Sequence, residues 1–138
     1  MSILQWRRVR GERGSVAISG LLFALALIVL IGTGVDFAHA FVVRRDLTAL
    51  ADDAALAGSQ QLDLQAWRQG QLALNTVQAE QAADSALAQE PGVTATTQAL
   101  TDSITVRVQD RLPTMMLRLV GIPELTVAAS ATAEPRRP

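Results

Sequence analysis

The clearest pattern in the sequence is an uninterrupted apolar run near the N-terminus. Residues 15–35 carry no charged side chain over 21 positions, and Leu, Ile, Val and Ala dominate the run. A helix of that length rises about 31 Å, which matches the hydrocarbon core of a bilayer. Because the rest of the chain is too small to enclose a helix that is apolar on every side, the run predicts one transmembrane helix.

The charges on either side of the run predict its orientation. Four arginines and one glutamate precede it, a local charge of +3, whereas aspartates and arginines are mixed after it. Positive flanks favour the cytoplasmic side, so residues 1–14 are expected to be a cytoplasmic arginine-rich leader. The chain from Asp36 onward is then expected outside. At the exit from lipid, Asp36 would lie among the headgroups or pair with a basic group of a neighbouring subunit.

A cleaved signal peptide is the competing interpretation of the same run. The tripeptide Ala38-His39-Ala40 fits the small-x-small pattern that precedes a cleavage site. However, 21 apolar residues exceed the usual length of a signal core, and the following residues look helical, whereas a peptidase needs an extended chain. We therefore expect the helix to be retained and keep release after Ala40 as the alternative.

Beyond the bilayer, small and apolar residues continue at helical spacing. They recur every three or four positions and so form one apolar stripe on a helix that runs to about Ala57, before a stop signal at Gly58 and Ser59. The stripe predicts packing either against the protein's own small domain or against a neighbouring subunit. Its members are Ala40, Val43, Leu47, Leu50, Ala54 and Ala57.

The remainder of the chain changes from helical to strand periodicity. Asp63 is expected to cap a second helix that runs to about residue 89. Alternation then predicts three strands, at residues 93–100, 103–109 and 125–133, with a turn at Thr101 and Asp102. The fold class predicted is α+β: a long outward-extending transmembrane helix, a second helix and a small antiparallel three-stranded, pilin-like sheet.

A short apolar stretch separates the second and third strands. Pro113 opens it and Gly121 closes it, which indicates one or two helical turns at residues 114–120. The stretch is interpreted either as a lid on the core of the sheet or as an edge that contacts a partner or the membrane. Residues 134–138 are expected to form a flexible tail.

Composition excludes most catalytic chemistry. The 138 residues include no cysteine and one histidine, and all 12 basic residues are arginine. Thiolate catalysis, cysteine-ligated metal sites, multi-histidine metal centres and lysine-based chemistry are therefore excluded. No phosphate-binding glycine loop is present, and scattered arginines with few aromatic residues do not favour nucleic-acid binding. The sequence predicts no catalytic residue, cofactor, metal, nucleic acid or small-molecule substrate.

The order of several short motifs resembles a known family. Gly14 and Ser15 open the apolar run, Val35-Asp36 closes it, Arg44 follows eight residues later, and the block at residues 51–58 reads ADDAALAG. Over about residues 10–60 this is similar to the N-terminal region of the TadE/TadG-like proteins of the Flp (Tad) pilus machinery. The resemblance implies a membrane-anchored, pilin-like protein that acts by assembly.

The resemblance also implies where to look for processing and contacts. Gly14 and Ser15 flank the candidate peptidase site, but Ser19 stands where cleaved members usually carry a glutamate, so cleavage is not expected. The domain organisation expected is a leader at 1–14, a transmembrane helix at 15–35, an exported domain at 36–133 and a tail at 134–138. The candidate residues for subunit contacts are Asp36, Arg44, Leu47, Leu50 and Ala54.

These observations lead to one expected function and one alternative. We expect a non-catalytic minor pilin-like or assembly component of a Tad (Flp) type IV pilus or secretion system. It would cross the bacterial inner membrane once, with its N-terminus in the cytoplasm, and its partners would be other Tad subunits. The alternative is an interaction module, secreted or anchored, that signal peptidase releases after Ala40.

Overall fold

A computed structural model describes residues 12–136 of the chain. Its elements are a long helix α1 (Glu12–Ser59), two shorter helices α2 (Leu64–Arg68) and α3 (Thr76–Leu87), and three strands. The strands are β1 (Thr94–Ala99), β2 (Ile104–Pro113) and β3 (Glu124–Ala133), and a 3-10 turn (Leu117–Val120) precedes β3. The predicted α+β class is confirmed.

The helix α1 is continuous over 48 residues. At the helical rise it is about 72 Å long, more than twice the thickness of a hydrocarbon core. The sequence predicted a helix from residue 15 to residue 57, and the observed ends lie within three residues of that prediction. The leader prediction for residues 1–14 falls mostly outside the described residues.

The prediction of a single second helix is wrong, because this part of the chain forms two helices, α2 and α3. Asp63 caps α2 as expected, accepting hydrogen bonds from the amides of Gln65 and Ala66. The chain then leaves the helix at Gly70, whose φ of 76° is in the left-handed region. Leu74 pairs with Leu62 in an isolated antiparallel bridge, and the side chain of Asn75 caps α3. Two strong local signals, a glycine and a capping asparagine, thus override the helical spacing of the apolar residues.

The three strands form an antiparallel sheet in the order β1-β2-β3. The turn at Thr101 and Asp102 joins β1 to β2, as predicted, with Ala99 opposite Ile104. Between β2 and β3 the pairing runs from Ile104 opposite Ala133 to Pro113 opposite Glu124. Ten residues, Thr114–Pro123, therefore leave the sheet between two strands that are themselves directly paired.

The chain divides into two units, and the larger one comprises Ala38–Pro113 and Glu124–Pro138. Its core lies between the outer half of α1, α3 and one face of the sheet. Ile104, Val106 and Val108 of the central strand are fully buried at alternate positions, as the period of two predicts. Their neighbours in the core are small or aliphatic, namely Leu47, Ala51, Ala54, Ala55, Leu74, Ala79, Ala83 and Val127.

A glycine near the end of α1 permits this close packing. A Cβ atom added to Gly58 would lie 2.3 Å from Cδ1 of Ile104 and 2.9 Å from the backbone oxygen of Ala79. Gly58 and Ser59 are also the predicted stop signal, and α1 ends at Ser59. Gly58 itself lies within α1, where the lack of a side chain allows the helix to approach both α3 and β2.

The smaller unit comprises the first part of α1, up to Phe37, and the segment Thr114–Pro123. Both interpretations of this segment, a lid on the core of the sheet and an edge that contacts a partner or the membrane, stay predictions. The predicted helical turn is present, and Gly121 ends it with a φ of 91°.

We predict that placing aspartate at both Leu47 and Leu50 unfolds the sheet. Leu47 is 4% exposed and Leu50 packs partly buried against the core. Burial of a leucine stabilises by about 1.5–3 kcal/mol, and a small domain has only about 5–15 kcal/mol in total. Two buried charges in addition should exceed that margin, so amides of β2 should exchange hydrogen rapidly in the full chain.

The matched control is the double aspartate variant at Thr48 and Ala49. Both positions lie on the same turn of α1 but are exposed. The control should keep the slow exchange of β2. Equally slow exchange in the Leu47 and Leu50 variant would contradict the intramolecular packing of the stripe.

Candidate functional site

The first functional feature is the surface of α1 before Asp36. The apolar part of the helix has a mean hydropathy of 2.6, and none of it is buried. Leu22 is 61% exposed, Phe23 67% and Ile28 57%, and at helical spacing these three side chains point to three different sides of the helix axis. A soluble helix would cover at least one apolar face. A helix of this length and composition that is exposed at every position from 14 to 28 indicates a membrane anchor.

The second feature is the carboxylate of Asp36, which lies where the apolar run ends. One oxygen accepts a hydrogen bond from the amide of Met115 at 3.0 Å. The other accepts from the amides of Met116 at 2.8 Å and Leu117 at 2.9 Å. Three successive amides at the start of the 3-10 turn thus converge on one carboxylate. The arrangement resembles a helix cap supplied by a residue 79 to 81 positions away.

One helical turn before Asp36, Gly32 leaves space for the segment that contains Met116. A Cβ atom built on Gly32 would lie 2.1 Å from Cγ of Met116. Gly34 has no neighbouring atom within 4 Å, so Gly32 lies on the face that meets the segment. The half-buried positions at this end of the helix, Val29, Gly32, Thr33 and Asp36, follow the spacing of one helix face. We call residues 114–123 the apolar loop.

The stripe on the outer half of α1 is buried or half-buried at every position. Leu47 and Ala54 are buried in the core of the larger unit, and Leu50 packs against it. The intramolecular packing of these three side chains is therefore observed, and their contact with a neighbouring subunit stays a prediction.

Arg44 is exposed and lines an open groove of about 660 Å³ in the larger unit. Arg107 and the threonines Thr48, Thr94 and Thr96 line the same groove. It presents two guanidinium groups and hydroxyl groups, and no histidine or carboxylate lines it. The groove is suited to contact with a polar or acidic surface, and the assignment of Arg44 to a subunit contact stays a prediction.

The candidate processing residues lie inside the helix. Gly14 and Ser15 are the third and fourth residues of α1, and Ser19 donates a hydrogen bond to the backbone oxygen of Ser15 at 2.9 Å. A peptidase would have to unwind this turn before it could cut after Gly14. Processing at this position stays a prediction.

The features described above are surfaces suited to contact with other molecules. Among residues 12–136, no group of three or more His, Cys, Asp or Glu side chains could hold a metal ion. The sequence pointed to Asp36 for its charge and position but did not identify its partners. Pro113 and Gly121 indicated a short turn. No signal in the sequence connects that turn with Asp36, because their contact depends on the path of the whole chain between the two segments.

Fold and surfaces together describe a protein with one long apolar helix, which suggests membrane anchoring, and a small α+β domain. Residues 14–61 match the model of the family described as "Putative Flp pilus-assembly TadE/G-like", which confirms the resemblance of the N-terminal region. The match supports a role in pilus assembly. No curated protein and no solved structure matches the chain.

We predict that Asp36→Ala releases the apolar loop from α1. The substitution removes the acceptor of three amide hydrogen bonds, each worth about 1.5–3 kcal/mol when the acceptor is charged. The amides of residues 115–117 should then exchange hydrogen at least tenfold faster in the full chain. Asp36→Asn should have an intermediate effect, because its side chain keeps one acceptor oxygen.

Asp52→Ala is the control, because it removes an exposed aspartate from the same helix. Exchange at residues 115–117 should not change in that variant. Unchanged exchange in Asp36→Ala would show that the carboxylate does not hold the loop.

Proposed function

We propose that this protein is a structural, non-catalytic assembly component, of the minor pilin-like type, in a Tad (Flp) type IV pilus or secretion system. The observation that carries the proposal is that the family match at residues 14–61 coincides with α1, at Glu12–Ser59. The first part of the matching range, residues 14–28, is also the part of α1 whose side chains are all exposed.

The proposed topology follows from the charges around the helix. The helix crosses the bacterial inner membrane once, with the arginine-rich residues 1–14 in the cytoplasm and residues 36–133 outside as the exported domain. Residues 15–35 form the transmembrane segment and residues 134–138 the tail. Small residues such as Gly20 and Ala24 allow another helix to approach closely in lipid, which supports assembly through this segment.

Retention of the helix is part of the proposal. Ala40 lies inside α1 and is only 8% exposed, so the peptide bond that follows it is helical and close to the core. A signal peptidase needs an extended chain, and it would have to melt this part of α1 first. Position 19 is a serine, whereas cleaved members of the family usually carry a glutamate there, and this also supports an N-terminus that is not cleaved.

The test is complementation of a chromosomal deletion in the native bacterium. Wild-type protein should restore surface pili. A variant whose residues 15–28 are replaced by a leucine and alanine run of equal length should fractionate with the inner membrane but fail to restore pili. The replacement ends before Val29, so the contacts of Gly32 and Asp36 with the apolar loop are preserved.

Two outcomes would contradict the proposal. Normal pili in the deletion strain would exclude a role in assembly. Restored pili from a fragment that begins at Phe41 and is exported by an unrelated cleaved signal would favour the released interaction module instead.

A further inference from the structure

The apolar loop exposes more large apolar side chains than a soluble surface normally does. Within ten residues, Met115 is 80% exposed, Leu119 72%, Val120 61% and Ile122 44%. Arg118 is the only charged residue of the loop. Contiguous exposed apolar patches on a protein mark a surface that meets another apolar phase.

The position of the loop beside α1 identifies lipid as that apolar phase. Asp36 holds the amides of Met115, Met116 and Leu117, and the side chain of Met116 occupies the space beside Gly32. Gly32 lies four residues, or about 6 Å, closer to the centre of the apolar run than Asp36. The loop therefore lies alongside the last turns of the lipid-facing helix, and its exposed side chains continue the apolar surface of that helix.

The backbone of the loop is suited to a medium that lacks water. Three amides donate to Asp36, and four more donate to carbonyl oxygens within the loop: Thr114 to Pro123, Leu119 to Met116, Gly121 to Arg118 and Ile122 to Leu117. The hydroxyl group of Thr114 also donates to the carbonyl of Ile122. Unpaired backbone groups are costly in lipid, so these hydrogen bonds lower the free-energy cost of moving the loop out of water.

The single charge of the loop is compatible with a location at the interface. Arg118 is exposed and lies in the 3-10 turn next to the exposed Leu119. An arginine side chain is long enough to place its guanidinium group among phosphate headgroups while its aliphatic part stays in the apolar region.

We propose that the apolar loop inserts into the outer leaflet of the membrane as a second anchor beside α1. The proposal rests on the membrane placement of α1 proposed above. The carboxylate of Asp36 fixes the loop at the depth where the helix leaves the bilayer, and Met115, Leu119, Val120 and Ile122 enter the lipid around it. The small domain is then attached to the membrane at two points of the chain.

The test uses the absence of native cysteine. Single-cysteine variants of the full chain, Leu119→Cys and Met115→Cys, are labelled with an environment-sensitive fluorophore. They are then reconstituted into vesicles of phosphatidylethanolamine and phosphatidylglycerol. Both positions are exposed, so the label does not disturb the core. Leu25→Cys in the apolar run and Asp102→Cys in the hairpin turn are the lipid and water controls.

The label at positions 119 and 115 should be quenched several-fold more strongly by lipids with a nitroxide on the acyl chain than the label at position 102. Iodide in the buffer should quench in the opposite order. Iodide access at 119 and 115 equal to that at 102 would overturn the proposal. Protection from both quenchers would also overturn it, because a second copy of the chain would then cover the loop.

The label at position 25 separates this proposal from the one on which it rests. Lipid quenching at 25 without quenching at 119 and 115 would contradict only the insertion of the loop. Absence of lipid quenching at 25 would contradict the membrane placement of α1 itself.

Discussion

The apolar surface of the first half of α1 is the constraint on which the rest of the structure depends. No position of its apolar window is buried, and the large side chains of residues 21–28 are exposed on every side of the helix. Transfer of that surface from water to lipid is favourable by roughly 25 cal/mol per Å². A bilayer is therefore the environment that this surface favours, and α1 continues beyond the apolar run without a break.

The two halves of α1 have different surroundings and different residue types. Before Asp36, large apolar side chains surround the helix and small residues are interspersed. After it, alanines at positions 51, 54 and 55 and the glycine at 58 allow α3 and β2 to pack closely. Asp36 marks the change, and its carboxylate is satisfied by three backbone amides of the apolar loop. A charge at this depth is acceptable because it is hydrogen-bonded at that position.

Elements governed by local periodicity could be predicted from the sequence, and contacts between distant segments could not. The period of two at Ile104, Val106 and Val108 predicted a half-buried strand, and Asp63 predicted a helix start. The break at Gly70 was missed because the helical spacing of apolar residues was given more weight than the glycine and Asn75. The link between Asp36 and Met116 spans 80 positions, and no local pattern encodes it.

The most direct test of the account is a scan of single spin labels along α1 in lipid vesicles, one exposed position at a time from Val16 to Leu56. Accessibility to oxygen reports lipid, and accessibility to a water-soluble nickel complex reports solvent. We expect oxygen access at every position from 16 to 28 with no access to nickel. Beyond the apolar run, labels at the exposed positions Arg44, Thr48 and Asp52 should be open to nickel. Nickel access along one face of residues 16–28 would contradict the account.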